Sequence, residues 1–295
     1  MNLTDRIYLA VHLALTLLVC DGHQRIEHWP WYVAWNACSI AAVLLLAHKQ
    51  HDGLSWEFAH DWLPVVFFTA VFEEVSFLSL LARGAWQNAH LISFEASFFT
   101  VPPVVWMHLH IPSRLIEFLE FGYFAFYPLY PVFGGMFWAW RKRPRFAGAF
   151  RRLTDALSVG YVLCYATYLF FPTQSPANRL GMQQFVSAHS GPFQAMVHLI
   201  QSRGGVHGNA FPSSHIMLAF VVLVFACRFL PRVALWLLIP ILLMCLGAVY
   251  DGYHYASDVV AGALIGIAVG LIFIRTSPRQ NKTLPYSGGQ ADLNA

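Results

Sequence analysis

The chain predicts an all-α fold, a polytopic transmembrane helical bundle of about eight spans. Three observations carry that expectation. Of its 295 residues, 57% are hydrophobic and only 11% charged, against about 25% charged in an ordinary soluble domain. The apolar residues recur in stretches of roughly 17–25, the length a helix needs to cross a hydrocarbon core of about 30 Å. Lys and Arg gather in alternate connections, the charge pattern of a multi-pass membrane protein. The formal net charge is only +3, and no nucleic-acid partner is expected; the expected partner is the bilayer.

The spans are placed near residues 6–22, 30–47, 61–82, 115–140, 153–172, 211–230, 233–250 and 254–274. The first carries His12. Its apolar run, 7–20, has the length of a signal segment but no small-residue cleavage site, so it reads as a retained helix. Residues 1–60 form an N-terminal helical unit. The third span carries Glu73 and Glu74 near its middle, where a structural role is expected. Acids are costly in lipid and are turned inward, paired or functional. Residues 87–111 are apolar but broken by Pro102-Pro103, and predict one interfacial helix followed by a loop. The fourth span carries Glu117 and Glu120 in its outer half, placed to line a head-group pocket. The longest polar connection, 172–209, is rich in Pro, Gly, Ser and Gln; residues 276–295 predict a disordered cytoplasmic tail. Cys20, Cys38, Cys164, Cys227 and Cys245 fall in or beside apolar segments without a C-x-x-C, which predicts buried thiols rather than disulfides or metal ligands.

Orientation follows from the basic residues. The connection holding Arg141, Lys142, Arg143, Arg145, Arg151 and Arg152 should be cytoplasmic. Alternation from there puts thirteen of the 18 Lys and Arg inside, with both termini. It also brings residues 172–209, His215 and His254 to one outer face.

Two stretches on that face carry chemistry. Pro212-Ser213-Ser214-His215 opens the sixth span. A helix start has backbone N–H groups without intrahelical partners. With two hydroxyls and an imidazole added, it is suited to bind phosphate. The second stretch, His254-Tyr255-Ala256-Ser257-Asp258, opens the eighth span. His254 and Asp258 are four apart, so on one helix they share a face. The aspartate can then hold one ring N–H and leave the other nitrogen as a nucleophile or base. Gly262, Gly266 and Gly270 continue the four-residue step, a stripe on which another helix can pack closely.

These two stretches resemble the second and third motifs of the phosphatidic acid phosphatase type 2 superfamily. The closest likeness is to its inositol phosphorylceramide synthase and sphingomyelin synthase branch, with the pattern Pro-Ser-x-His and then His-Tyr-x-x-Asp. The resemblance implies a six-helix core within a catalytic membrane domain, 61–275. It implies that His254 is the nucleophile, that Asp258 orients it, and that His215 is the general acid. Ser213 and Ser214 at the helix start would bind phosphate, and no metal or cofactor is implied. The chain departs from the phosphatase pattern in having Gly247 and Ala248 where that pattern has Ser-Arg. Of the first motif only Arg179 matches, a guanidinium able to bind phosphate in a bidentate way. These departures favour transfer of a phosphoryl or phospho-head-group between a lipid donor and a hydroxyl over simple hydrolysis. Glu117, Glu120 and Asp251 are the residues expected to hold an acceptor head group.

The alternative within the same chemistry is a lipid phosphate phosphatase. An ion-coupled transporter would account for the four span glutamates, and a di-iron oxygenase for the 14 histidines. The first calls for repeat symmetry, and the second for His-rich clusters on one face. Neither pattern is evident in the sequence.

Overall fold

The computed structural model describes residues 1–180, 191–204 and 208–275. The expected tail at 276–295 lies outside the described residues. Among those described, the structure is helical with no strand. In chain order the helices are α1 Leu3–Asp21, α2 Trp29–Lys49, α3 Leu54–Arg83, α4 Asn88–Ala96, α5 Pro103–His110, α6 Ile116–Phe124 and α7 Phe126–Ala139. They continue as α8 Ala149–Phe170, α9 Pro176–Leu180, α10 Pro192–Gly204, α11 Ser214–Phe229, α12 Pro231–Tyr250 and α13 Ala256–Arg275.

Six of these helices are long and apolar enough to cross a membrane. The protein is a multi-pass membrane protein. The other two expected spans take different forms. One is α11, a shorter apolar helix of 16 residues. The other is the pair α6 and α7, which meet at Ala125. The expected single helix over 115–140 is therefore broken, and Pro128 supplies a reason. It has no N–H to give the carbonyl four residues back, at Phe124. Residues 87–111 are also corrected: they form two short helices, α4 and α5, with Pro102 as the cap residue of the second. The long connection at 172–209 likewise carries helices, α9 and α10.

α11 lies at the centre. Ile216, Met217, Ala219, Val221, Val222, Phe225 and Ala226 along it are all fully buried, the pattern of a helix apolar on every side. α13 packs against it through the predicted glycine stripe. A Cβ at Gly262 would run into the Ser213 carbonyl, one at Gly266 into the Met217 carbonyl, and one at Gly270 into Val224. The outward surface carries exposed Leu17, Leu235, Trp236 and Leu264. Scattered large apolar side chains of this kind suit contact with lipid tails. The cysteines are all free. Cys164 is buried, but Cys20, Cys38 and Cys227 are exposed, so burial holds for only part of the set. Their helices present those faces outward, where a thiol is as compatible with lipid as a methyl group.

A polar cluster ties together the end of the bundle that bears the basic connection. Asn2 and Asp5 form a reciprocal cap on α1. His60 Nε2 meets Asp5 Oδ1 at 3.0 Å, and its Nδ1 meets Asp61 Oδ1 at 3.3 Å. Trp138 donates to Asp61 at 3.0 Å, Thr4 donates to Asp155 at 2.7 Å, and Arg141 pairs with Glu57 at 2.9 Å. Deeper in the bundle, His12 Nδ1 meets Asn36 Oδ1 at 2.5 Å, and Asn36 donates to Glu74 at 2.6 Å. Asn36 thus links α1 and α3 through His12 and Glu74. Glu73 is exposed.

Candidate active site

The two motif stretches meet at the opposite end of the bundle, where α8 ends and α11 and α13 begin. Ser213 is the N-cap of α11, and its Oγ accepts the Ile216 N–H at 3.3 Å. The preceding turn is fixed by Asn209 at φ 67° and by the cis Phe211-Pro212 peptide. Tyr168, at the end of α8, donates its hydroxyl to the Pro212 carbonyl at 2.8 Å and lies beside Ser214. The start of α13 is held against the start of α11 directly, since the Ser213 N–H donates to the Asp258 carbonyl at 3.1 Å.

His254 is not on a helix, in contrast to the expectation that its span begins there. It stands in the turn between α12 and α13, two residues before the first helical residue, Ala256. Gly252 in that turn has φ 66°, a left-handed conformation that favours glycine. The His254 N–H donates to the Ala248 carbonyl at 3.0 Å. Its ring is fixed at both nitrogens. Nδ1 lies 2.9 Å from the Ala210 carbonyl, with Asp258 Oδ2 farther off at 3.5 Å. A carbonyl oxygen only accepts, so Nδ1 carries the proton and Nε2 carries the lone pair. Nε2 faces Ser213 Oγ at 3.0 Å. Burial lowers the His254 pKa to about 4, against the partial support of the Ala210 carbonyl.

Asp258 therefore shares the orienting task. Its Oδ2 makes a shorter bond, 2.7 Å, with the Tyr255 N–H. That bond reaches back from the third residue of α13 to its cap position, as an acid does in a capping box. His215 lies across the site, its ring centroid 6.0 Å from that of His254. Phe72, Tyr123 and Phe126 surround it at 6.3, 6.1 and 4.5 Å. Its buried Nδ1 makes no hydrogen bond.

The remaining expected residues separate. Arg179 is exposed on α9, at the rim beside Tyr255. Its helix is tied to the turn carrying His254 by the Ala177 N–H, which donates to Gly252 O at 2.9 Å. Ser214, buried like Ser213, lies against Tyr168. Asp251 and Glu120 are both fully buried and adjacent. Burial, then the neighbouring Glu120 charge, raise the Asp251 pKa well above the carboxylate range. Glu117 turns the other way: its Oε2 accepts the Phe193 N–H at 3.2 Å at the start of α10. Among the described residues, no group of three or more His, Cys, Asp or Glu side chains is arranged to hold a metal.

Four contributors were not singled out from the sequence: the carbonyls of Ala210 and Ala248, and the side chains of Asn88 and Glu95 near Tyr255 and Ser257. Backbone carbonyls leave no mark in a sequence. Glu95, an acid alone in an apolar stretch, did. The phosphatase-type Ser-Arg pair is also missing for a visible reason. A Cβ at Gly247 already lies 2.7 Å from the Leu119 carbonyl of α6, and Ala248 is fully buried.

A family model described as the PAP2 superfamily matches residues 140–282. That stretch contains α8 through α13 and both histidines, but not Glu117 or Glu120. No curated protein and no solved structure matches the chain.

Proposed function

We propose that this chain is a PAP2-superfamily membrane enzyme that moves a phosphoryl or phospho-head-group from a lipid donor to a hydroxyl acceptor through a phosphohistidine at His254. The supporting observation is the state of His254. Its Nδ1–H is committed to the Ala210 carbonyl, and its Nε2 lone pair faces the cap of α11.

In the first step Nε2 attacks phosphorus, the N–P bond forms, and the bond to the leaving lipid oxygen breaks. His215 gives its proton to that oxygen. In the second step the acceptor hydroxyl loses its proton to His215, its oxygen bonds to phosphorus, and the N–P bond breaks. Asp258 stabilises the positive charge on the ring. Ser213, the N–H groups at the start of α11 and Arg179 hold phosphate oxygens. Glu120 and Asp251 hold the acceptor head group, while Glu117 is engaged by the start of α10. The active site faces the extracytoplasmic side, and both termini are cytoplasmic.

Transfer is favoured over hydrolysis because close packing of α12 on α6 leaves Gly247 and Ala248 where phosphatases carry Ser-Arg. The likeness to inositol phosphorylceramide and sphingomyelin synthases rests on the Pro-Ser-x-His and His-Tyr-x-x-Asp pattern, and the missing arginine is shared with that branch. The test supplies a lipid labelled in its phosphate, with and without candidate alcohols. Label in a new phospholipid supports transfer. Label only in free phosphate or a free head-group phosphate, whatever acceptor is offered, makes the enzyme a phosphatase.

A further inference from the structure

Several polar contacts at the mouth of the site lead back to one short helix. α4 presents Asn88 and Glu95, seven residues apart and so on one face, 2% and 7% exposed. Asn88 brackets the segment before α9: its Oδ1 accepts the Gln174 N–H at 3.0 Å, and its Nδ2 donates to the Gln174 carbonyl at 2.8 Å. The same Nδ2 lies 3.1 Å from the Tyr255 hydroxyl. Next to Asn88, the Gln87 N–H donates to the Pro172 carbonyl at 2.8 Å. Glu95 Oε1 accepts from both the N–H and the hydroxyl of Ser257, at 2.8 and 3.0 Å. Ser257 is the second residue of α13, and its N–H is one of the donors with no partner inside the helix. An acid there also meets the positive end of the helix dipole.

The segment held by Asn88 continues the network. The Thr173 carbonyl accepts the Ala210 N–H at 3.2 Å, and Thr173 Oγ1 accepts the Phe211 N–H at 3.0 Å. One face of α4 thus reaches the nucleophile turn, the turn before α11 and the segment leading to Arg179. Its other face exposes Ile92 and Phe94.

We infer that α4 is the positioning element of the site, with Glu95 and Asn88 as its positioning residues. Glu95 supplies, from another helix, the cap that holds the Tyr255–Asp258 turn, and with it the direction of His254 Nε2. Asn88 sets the distance between that turn and the segment carrying Arg179. Neither residue touches the reacting atoms. The role in turnover rests on the function proposed above.

Glu95→Ala, Glu95→Gln and Asn88→Ala test this in the full-length protein. A nucleophile displaced by about 1 Å costs on the order of 10²-fold. Glu95→Ala is therefore expected to lower kcat at least about tenfold, with KM within about twofold. Glu95→Gln keeps an oxygen acceptor for Ser257 and should restore the greater part of kcat. The geometry is read independently by diethyl pyrocarbonate modification followed peptide by peptide. In Glu95→Ala and Asn88→Ala, His254 should react several-fold faster while the buried His12 keeps its wild-type rate. Unchanged modification of His254, or equal acceleration of His254 and His12, would overturn the inference. The modification result decides it even if the protein turns over no lipid phosphate, an outcome that would instead overturn the proposed reaction.

Discussion

At the scale of single residues, the site separates holding an imidazole from helping it react. The Ala210 carbonyl fixes the tautomer of His254, so in the proposed mechanism Asp258 is left mainly with charge stabilisation. Asp258→Asn can still accept the Tyr255 N–H. It is expected to give a folded protein slowed by about 10²-fold, less than the roughly 10⁴-fold lost when a triad aspartate alone sets the tautomer. His254→Ala should abolish turnover. Protonation at Nε2 removes the attacking lone pair, and burial holds the His254 pKa at about 4. The acid limb of kcat/KM should therefore rise through about pH 4, below the ordinary histidine value near 6.5. An acid limb centred at 6–7 in a pH–rate profile would show that the ring is hydrated in the working enzyme. That His215, Ser213, His254 and Asp258 come together was to be expected from the two motif stretches and their resemblance to a family pattern. The Ala210 carbonyl was not, since any residue presents the same group.

At the scale of elements, close helix approach decides what the site can contain. Gly262 and Gly266 admit the backbone of α11, and Gly247 admits that of α6. Gly262→Leu is expected to destabilise the protein by about 1–3 kcal/mol by overpacking, measurable as a lowered melting temperature in detergent. Ala248→Arg, which restores the phosphatase-type side chain, should destabilise the protein and reduce turnover without converting transfer into hydrolysis; thermal melting and product analysis report the two effects. Apolar length and the glycine step were enough to place the long helices and the packing face of α13. The breaks were harder to see. Pro128 interrupts a stretch whose composition reads as one span. His254 falls outside its helix because Asp258 completes a cap at Tyr255, leaving the residue before it in the turn.

Across the whole molecule, the bundle has two polar ends with different tasks. One end carries the basic connection, the His60–Asp5–Asp61 cluster and the start of α1. The other carries the paired histidines, α4 and the segment leading to Arg179. Tags placed in the 141–152 connection and at the C-terminus should both resist protease added outside sealed cells, since α13 runs from the site end back to the basic end. Cleavage of the 141–152 tag from outside would invert the proposed orientation. Charge distribution made this polarity readable from sequence. The gathering of residues 88, 95, 174 and 210 around the turn that carries His254 was not readable, because it is created by folding across long stretches of chain. The most direct test of the central claim is to trap the phosphoryl group on the protein. The protein is mixed with a lipid labelled in its phosphate, quenched in alkali, and mapped peptide by peptide. The expected result is label on His254 that appears during turnover, leaves when acceptor is added, and is absent from His254→Ala. Undiminished product formation by His254→Ala, or label fixed on any other residue, would contradict the mechanism.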